Sequence, residues 1–328
     1  MVDFGVAQFS LYSFSATLAF FGIPAVVFWP YFFGLAVLAI GLPPAIKREA
    51  RQTHALDKVA QFGPLLFAIA MAIFGGDHLV AARFVATAVP SWIPGHLFWA
   101  YFVGVALIAG ALSLVTNKRA RLAAGLLGVM IFLFVLLIHV PACFATPHDK
   151  IRYTIALRDL ALAGGVSAFA ASQTQQWRTH GTHKIIIAAC VVLAIVALVF
   201  GVEQFLYPDA APGIPQENSA VTVTVPSWIP GHVLWAYLTG AVLIACGVGL
   251  MIKRRARLAA ALLGIWITFL VFFVYLPIVI AKPSDIANAL NYLAIHSALA
   301  GAALLLAGAL AKEEHSEVRR FAPNEEVE

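Results

Sequence analysis

Apolar residues run along the chain in blocks of about 20, long enough to cross a hydrocarbon core of about 30 Å as helices, with short polar stretches between them. The blocks predict spans near 16–42, 59–81, 95–115, 120–141, 151–172, 185–206, 232–252, 256–278 and 286–311. Barrel strands would instead alternate apolar and polar positions over about 10 residues. Pro24 and Pro30 predict a kink in the first span.

The pattern repeats itself. Val89-Pro90-Ser91-Trp92-Ile93-Pro94-Gly95-His96 returns as Val225-Pro226-Ser227-Trp228-Ile229-Pro230-Gly231-His232. Residues 89–141 set against 225–277 without a gap agree at 28 of 53 positions. The chain is therefore read as a tandem duplication. An N-terminal span and basic loop (1–58) come first, followed by a four-helix unit (59–172) and a polar linker (173–184). A second four-helix unit (185–311) and a charged tail (312–328), expected to fray into solvent, complete the chain. The expected fold is all-α: nine membrane helices, as two parallel-repeat four-helix bundles plus one N-terminal helix.

Composition supports the membrane reading. Hydrophobic residues make up 62% and charged residues 11%, against about 25% charged in soluble domains, and the mean hydropathy is +0.90. The N-terminus lacks the basic region and small-residue cleavage site of a signal peptide, so the first apolar stretch is expected to be retained. Cys143, Cys190 and Cys246 are scattered without metal-like or dithiol spacing. The net charge of +5 comes from short inter-span loops, so it reports topology and not a nucleic-acid partner. The loops at 43–58, 116–121, 173–184 and 253–257, with the tail, hold sixteen of the 21 Lys and Arg residues. With nine spans these loops share one side, which the charge rule makes cytoplasmic. The N-terminus and both PSWIPG loops are then expected outside and the C-terminus inside.

Ionisable groups inside apolar spans are costly and mark the places to look for function. In the first unit they are Asp77, His78, His96, His139, Arg158 and Asp159. Matching positions in the second read Glu203, Gln204, His232, Tyr275, Ile295 and His296, with Asn291 nearby. Trp99 and Trp235 follow the two loop histidines. All fall in the outer half of the membrane, which suggests one polar pocket per unit beneath its PSWIPG loop. Such a pocket suits an amphipathic ligand with a polar head, such as a quinone, and Asp77 or Glu203 could exchange its protons. The alternative is a buried network that fixes helix register, with Asp77–Arg158 and Glu203–His296 as its pairs. The PSWIPG loops read as tight interfacial caps or as lids over a ligand. The second unit lacks equivalents of His78 and His139, and no HxxxH spacing occurs, so haem and metal are not favoured and no cofactor motif is present.

Phe200-Gly201-Val202-Glu203-Gln204-Phe205-Leu206-Tyr207-Pro208, Pro212-Gly213-Ile214-Pro215, Pro226 to His232 and Trp235-Ala236-Tyr237-Leu238-Thr239-Gly240 together resemble the DoxX/DoxD-like family of bacterial four-helix membrane proteins. Arg158 to Gly165 is similar to that family's last helix. The likeness covers about 59–311 as two units in tandem. It implies a membrane subunit linked to quinones, as in thiosulfate:quinone oxidoreductase, or a membrane partner for soluble redox proteins. Membrane lipids, a quinone and protein partners in a membrane complex are the expected associations, and no nucleic acid. A structural or assembly subunit without catalysis is the second reading, and a lipid or small-solute transporter the third.

Overall fold

A computed structural model of the chain describes residues 19–20, 23–173, 180–208, 231–281 and 286–321. Among these, nine helical stretches are long and apolar enough to cross a membrane: Ala25–Glu49, Ala55–Val80, His96–Thr116, Ala120–Ala145, Lys150–Ser172, Gly181–Leu206, Val233–Met251, Lys253–Tyr275 and Asn291–Glu314. The chain is a helical, multi-pass membrane protein. A two-residue antiparallel pairing, β1 (Ala19–Phe20) with β2 (Ile23–Pro24), precedes the first helix.

Helix α1 (Ala25–Glu49) stands outside the repeats. The first unit contains α2 (Ala55–Ala60), α3 (Gly63–Val80), α4 (Ala82–Val85), α5 (His96–Thr116), α6 (Ala120–Phe134), α7 (Val140–Ala145) and α8 (Lys150–Ser172). In the second are α9 (His180–Leu206), α10 (His232–Met251), α11 (Ala256–Leu270), α12 (Leu276–Ala281) and α13 (Ile286–Phe321).

Within each unit successive helices pack side by side: α3 on α5, α5 on α6 and α6 on α8, then α9 on α10, α10 on α11 and α11 on α13. The two expected units also pack against each other at their closing faces. The helix that opens each unit packs along the helix that closes the other, α3 on α13 and α9 on α8, while α8 and α13 meet in the middle. A single apolar core therefore runs through both units, from Phe67 and Met71 to Leu162, Val166, Leu305 and Leu306.

Close approach at these seams depends on missing side chains, as expected where lipid tails leave packing as the main attraction between helices. A Cβ on Gly165 would lie 2.6 Å from the Ala302 carbonyl oxygen, and one on Gly63 would lie 2.8 Å from the Leu305 nitrogen. α13 is buried without a break from Ala294 to Ala307. A helix apolar on all sides takes that central position.

The basic loops gather at one end. There Arg257 at the start of α11 reaches Asp57 in α2 and Glu314 in α13, both at 2.7 Å. Lys58 meets Glu49 at 3.5 Å, and His183 pairs with Glu313. Arg257, read from sequence as a topology signal, thus also ties three helices together.

Two element boundaries differ from expectation. The first helix runs through Pro43 and Pro44 to Glu49, so residues 43–49 are helix and not loop. Its last turn carries Lys47 and Arg48, where positive charge suits the carboxyl end of the helix dipole. The tail expected to fray is helical to Phe321, its first turns held by Glu313 and Glu314. Residues 1–15 and the second PSWIPG segment up to Pro230 lie outside the described residues.

Candidate functional site

Both units break their third helix at the same place. Val135–His139 and Val271–Tyr275 are single π-helical turns, lying 136 positions apart as the duplication requires. The Val140 N–H bonds the Val135 carbonyl, and the Leu276 N–H bonds the Val271 carbonyl, five residues back instead of four. Pro141 and Pro277 follow immediately and have no N–H to give. Widening the turn by one residue lets the ladder pass the proline, and such turns often mark functional positions. Each π turn ends on a polar residue, His139 or Tyr275, and turns it toward the last helix of its own unit.

In the first unit the His139 Nε2–H donates to Asp159 Oδ2 at 3.0 Å, and the Arg158 Nε–H donates to Asp159 Oδ1 at 2.9 Å. The three side chains are 15–21% exposed, so the carboxylate is both shielded from solvent and compensated. In the second unit the Tyr275 ring stacks on His296, with centroids 3.8 Å apart and planes 20° apart. The His296 Nδ1–H donates to the Tyr292 carbonyl at 2.8 Å, which leaves Nε2 as an acceptor in the neutral ring. Asp159 lies nine residues past Lys150 and His296 ten past Ile286, about 14 Å and 15 Å along their helices. The two arrangements therefore share one depth. The helices that carry them, α8 and α13, pack against each other, and the Arg158 charge is felt at His296.

The remaining sequence-predicted residues divide between this layer and the loop end. Asp77 is half-buried at the end of α3, and its carboxyl has no hydrogen-bond or ion-pair partner among the described residues. The expected Asp77–Arg158 pair is not formed, because the adjacent Asp159 takes the guanidinium. His296 likewise bonds Tyr292 and not Glu203. His78 turns its Nδ1–H to the Phe74 carbonyl at 2.8 Å. His96 is half-buried and Trp99 exposed at the first PSWIPG loop, where the Trp99 Nε1–H donates to the Pro94 carbonyl at 3.2 Å. That bond, with Gly95 at φ 73° capping α5, favours the capping role of the loop and leaves His96 and Trp99 outside the hydrogen-bonded layer. Gly231 repeats the left-handed cap at φ 73°, and Trp235 is exposed. The side chain of His232 lies outside the described residues.

Sequence reasoning missed Tyr31. It projects from α1, outside both repeats, and packs against the small cluster formed by Val274, Tyr275 and Val279. Its hydroxyl is buried without a hydrogen-bond partner among the described residues, as are both amide atoms of Gln204 and Nε1 of Trp266. No pattern within the duplication could point to Tyr31, since α1 has no counterpart in it. The matched prolines at 141 and 277 were the available sign of the π turns.

Among the described residues no three His, Cys, Asp or Glu side chains are arranged to hold a metal ion. Cys143, Cys190 and Cys246 are buried free thiols. No protein-family model, curated protein or solved structure matches the chain.

Proposed function

We propose that the chain is an integral membrane subunit of a quinone-linked oxidoreductase system, seating a quinone or similar amphipathic ligand in the polar layer on the PSWIPG side of the membrane. The observation that carries this reading is the pair of π turns. In a mostly apolar interior they bring His139 to Asp159 and Tyr275 to His296 at one depth. Imidazole, guanidinium and phenol groups can hydrogen-bond quinone oxygens, and the surrounding apolar helices suit an isoprenoid tail. The DoxX/DoxD-like resemblance supplies the quinone. Electrons would come from a partner protein, since the chain carries no cofactor motif. The basic loops, by the charge rule, support an orientation with the opposite end of the bundle in the cytoplasm, and the resemblance adds a bacterial inner membrane.

A second reading, a structural or assembly subunit, draws on the mutual satisfaction of His139, Asp159 and Arg158, which can lock helix register with no ligand present. Mass spectrometry of the organic extract of protein purified from its own membranes in mild detergent separates the two. The quinone reading expects near-stoichiometric quinone, reduced in Arg158→Leu. Bulk phospholipid alone, with a second polypeptide co-purifying, supports the assembly reading instead.

A further inference from the structure

The two halves of the polar layer descend from one ancestral unit but differ in what they leave unspent. In the first, Asp159 accepts from both His139 and Arg158. In the second, the Tyr275 hydroxyl and His296 Nε2 have no hydrogen-bond partner among the described residues, although the residues are only 3% and 8% exposed. Tyr31 packs against the cluster that contains Tyr275, and its hydroxyl is buried and likewise unpartnered. Polar atoms kept from water in an apolar interior are costly unless something bonds them. The Tyr31 hydroxyl is such an atom, and with the unpartnered Tyr275 hydroxyl and His296 Nε2 of the neighbouring stack it makes a set of two hydroxyls and one imidazole acceptor.

Resting on the quinone reading above, we infer that the ligand head group occupies the second unit's half of the layer, and that Tyr31, from the helix outside both repeats, contacts it. Chemistry sets the ligand class: a flat aromatic head bearing oxygens on its ring. A phenol O–H donates to a ring carbonyl, and His296 Nε2 accepts from a ring hydroxyl when the head is reduced. Arg158, within electrostatic reach of His296, gives that half a nearby positive charge without spending a hydrogen bond on it. In this arrangement α1 walls the site, and the first unit's Asp159 cluster holds the opposite side in register.

The test is calorimetric titration of the full chain in detergent with decylubiquinone, oxidised and reduced. Tyr31→Phe, Tyr275→Phe and His139→Phe are compared after each is shown to be monodisperse. Tyr31→Phe keeps the ring and removes only the hydroxyl. It is expected to weaken binding about tenfold, the effect of one lost hydrogen bond, with the melting temperature unchanged. Tyr275→Phe is expected to weaken binding comparably, and His139→Phe to lower the melting temperature more than the affinity. Wild-type affinity in both Tyr31→Phe and Tyr275→Phe, with binding lost in His139→Phe, would move the ligand to the first unit and overturn this inference while leaving the quinone reading intact. No binding of either form by the wild-type chain would overturn the quinone reading, and this inference with it.

Discussion

Asp159 accepts from two sides, and its neighbours are arranged around that fact. A carboxylate in an apolar helix interior is tolerated when paired and hydrogen-bonded. Here Arg158 is the residue before it and His139 arrives from the π turn of the preceding span. Asp159→Asn leaves a guanidinium without its counter-charge, so the variant is expected to lose about 3 kcal/mol of stability, read as a lower melting temperature in detergent. An unchanged melting temperature would mean that the cluster does not hold the helices. Much of this was legible in the sequence, since charged residues in apolar blocks were flagged by cost alone. What the sequence left open was pairing. Asp77 and Arg158 share a depth in a one-dimensional reading, but Arg158 has a carboxylate one residue away and needs no partner from another helix. His232 had the same standing on paper as His96, yet its side chain lies outside the described residues.

At the scale of elements, the π turns and the glycine seams do the positioning. Inserting one alanine after Leu270 adds a residue that the π turn does not absorb, and should rotate Tyr275 by about 100° relative to α11. The Tyr275–His296 stack would be lost, and ligand binding should fall while the protein remains helical by circular dichroism. Retained binding would show that the facing of Tyr275 has no role in the site. Glycine positions give a paired comparison. Gly165→Ala must push against the Ala302 carbonyl, whereas nothing lies within 4 Å of a Cβ on Gly181. The first change should lower the melting temperature and the second leave it equal or slightly higher, because alanine favours helix by roughly 1 kcal/mol. The sequence located most helices well, as at His96–Thr116 against the expected 95–115. It placed the first helix too early, at 16–42, because Lys47 and Arg48 read as part of the basic loop 43–58, whereas the helix runs on through Pro43 and Pro44 to Glu49.

For the whole molecule, the interlocked closing faces are the main feature that the repeat pattern left open. Sequence similarity between repeats says that each unit has the same fold, but it cannot say which partner closes each open face. With α3 on α13 and α9 on α8, neither half covers its own seam. Residues 1–173 and 180–328 expressed apart should each aggregate, and co-expressed they should co-purify as one monodisperse complex. Two halves that are separately monodisperse would contradict the interlocked arrangement. Arg257 crosses between the halves as well, joining α11 to Asp57 of the first unit. Arg257→Leu should therefore weaken the co-purified complex more than it weakens the intact chain.

The measurement that bears most directly on the account is photolabelling of the intact protein in native membranes with an azido-quinone, followed by peptide mapping. The account predicts labels confined to α1 around Tyr31, the π turn ending at Tyr275 and the stretch of α13 around His296, reduced by competing unlabelled quinone. Labels scattered over the lipid-facing helices, unaffected by competition, would contradict it.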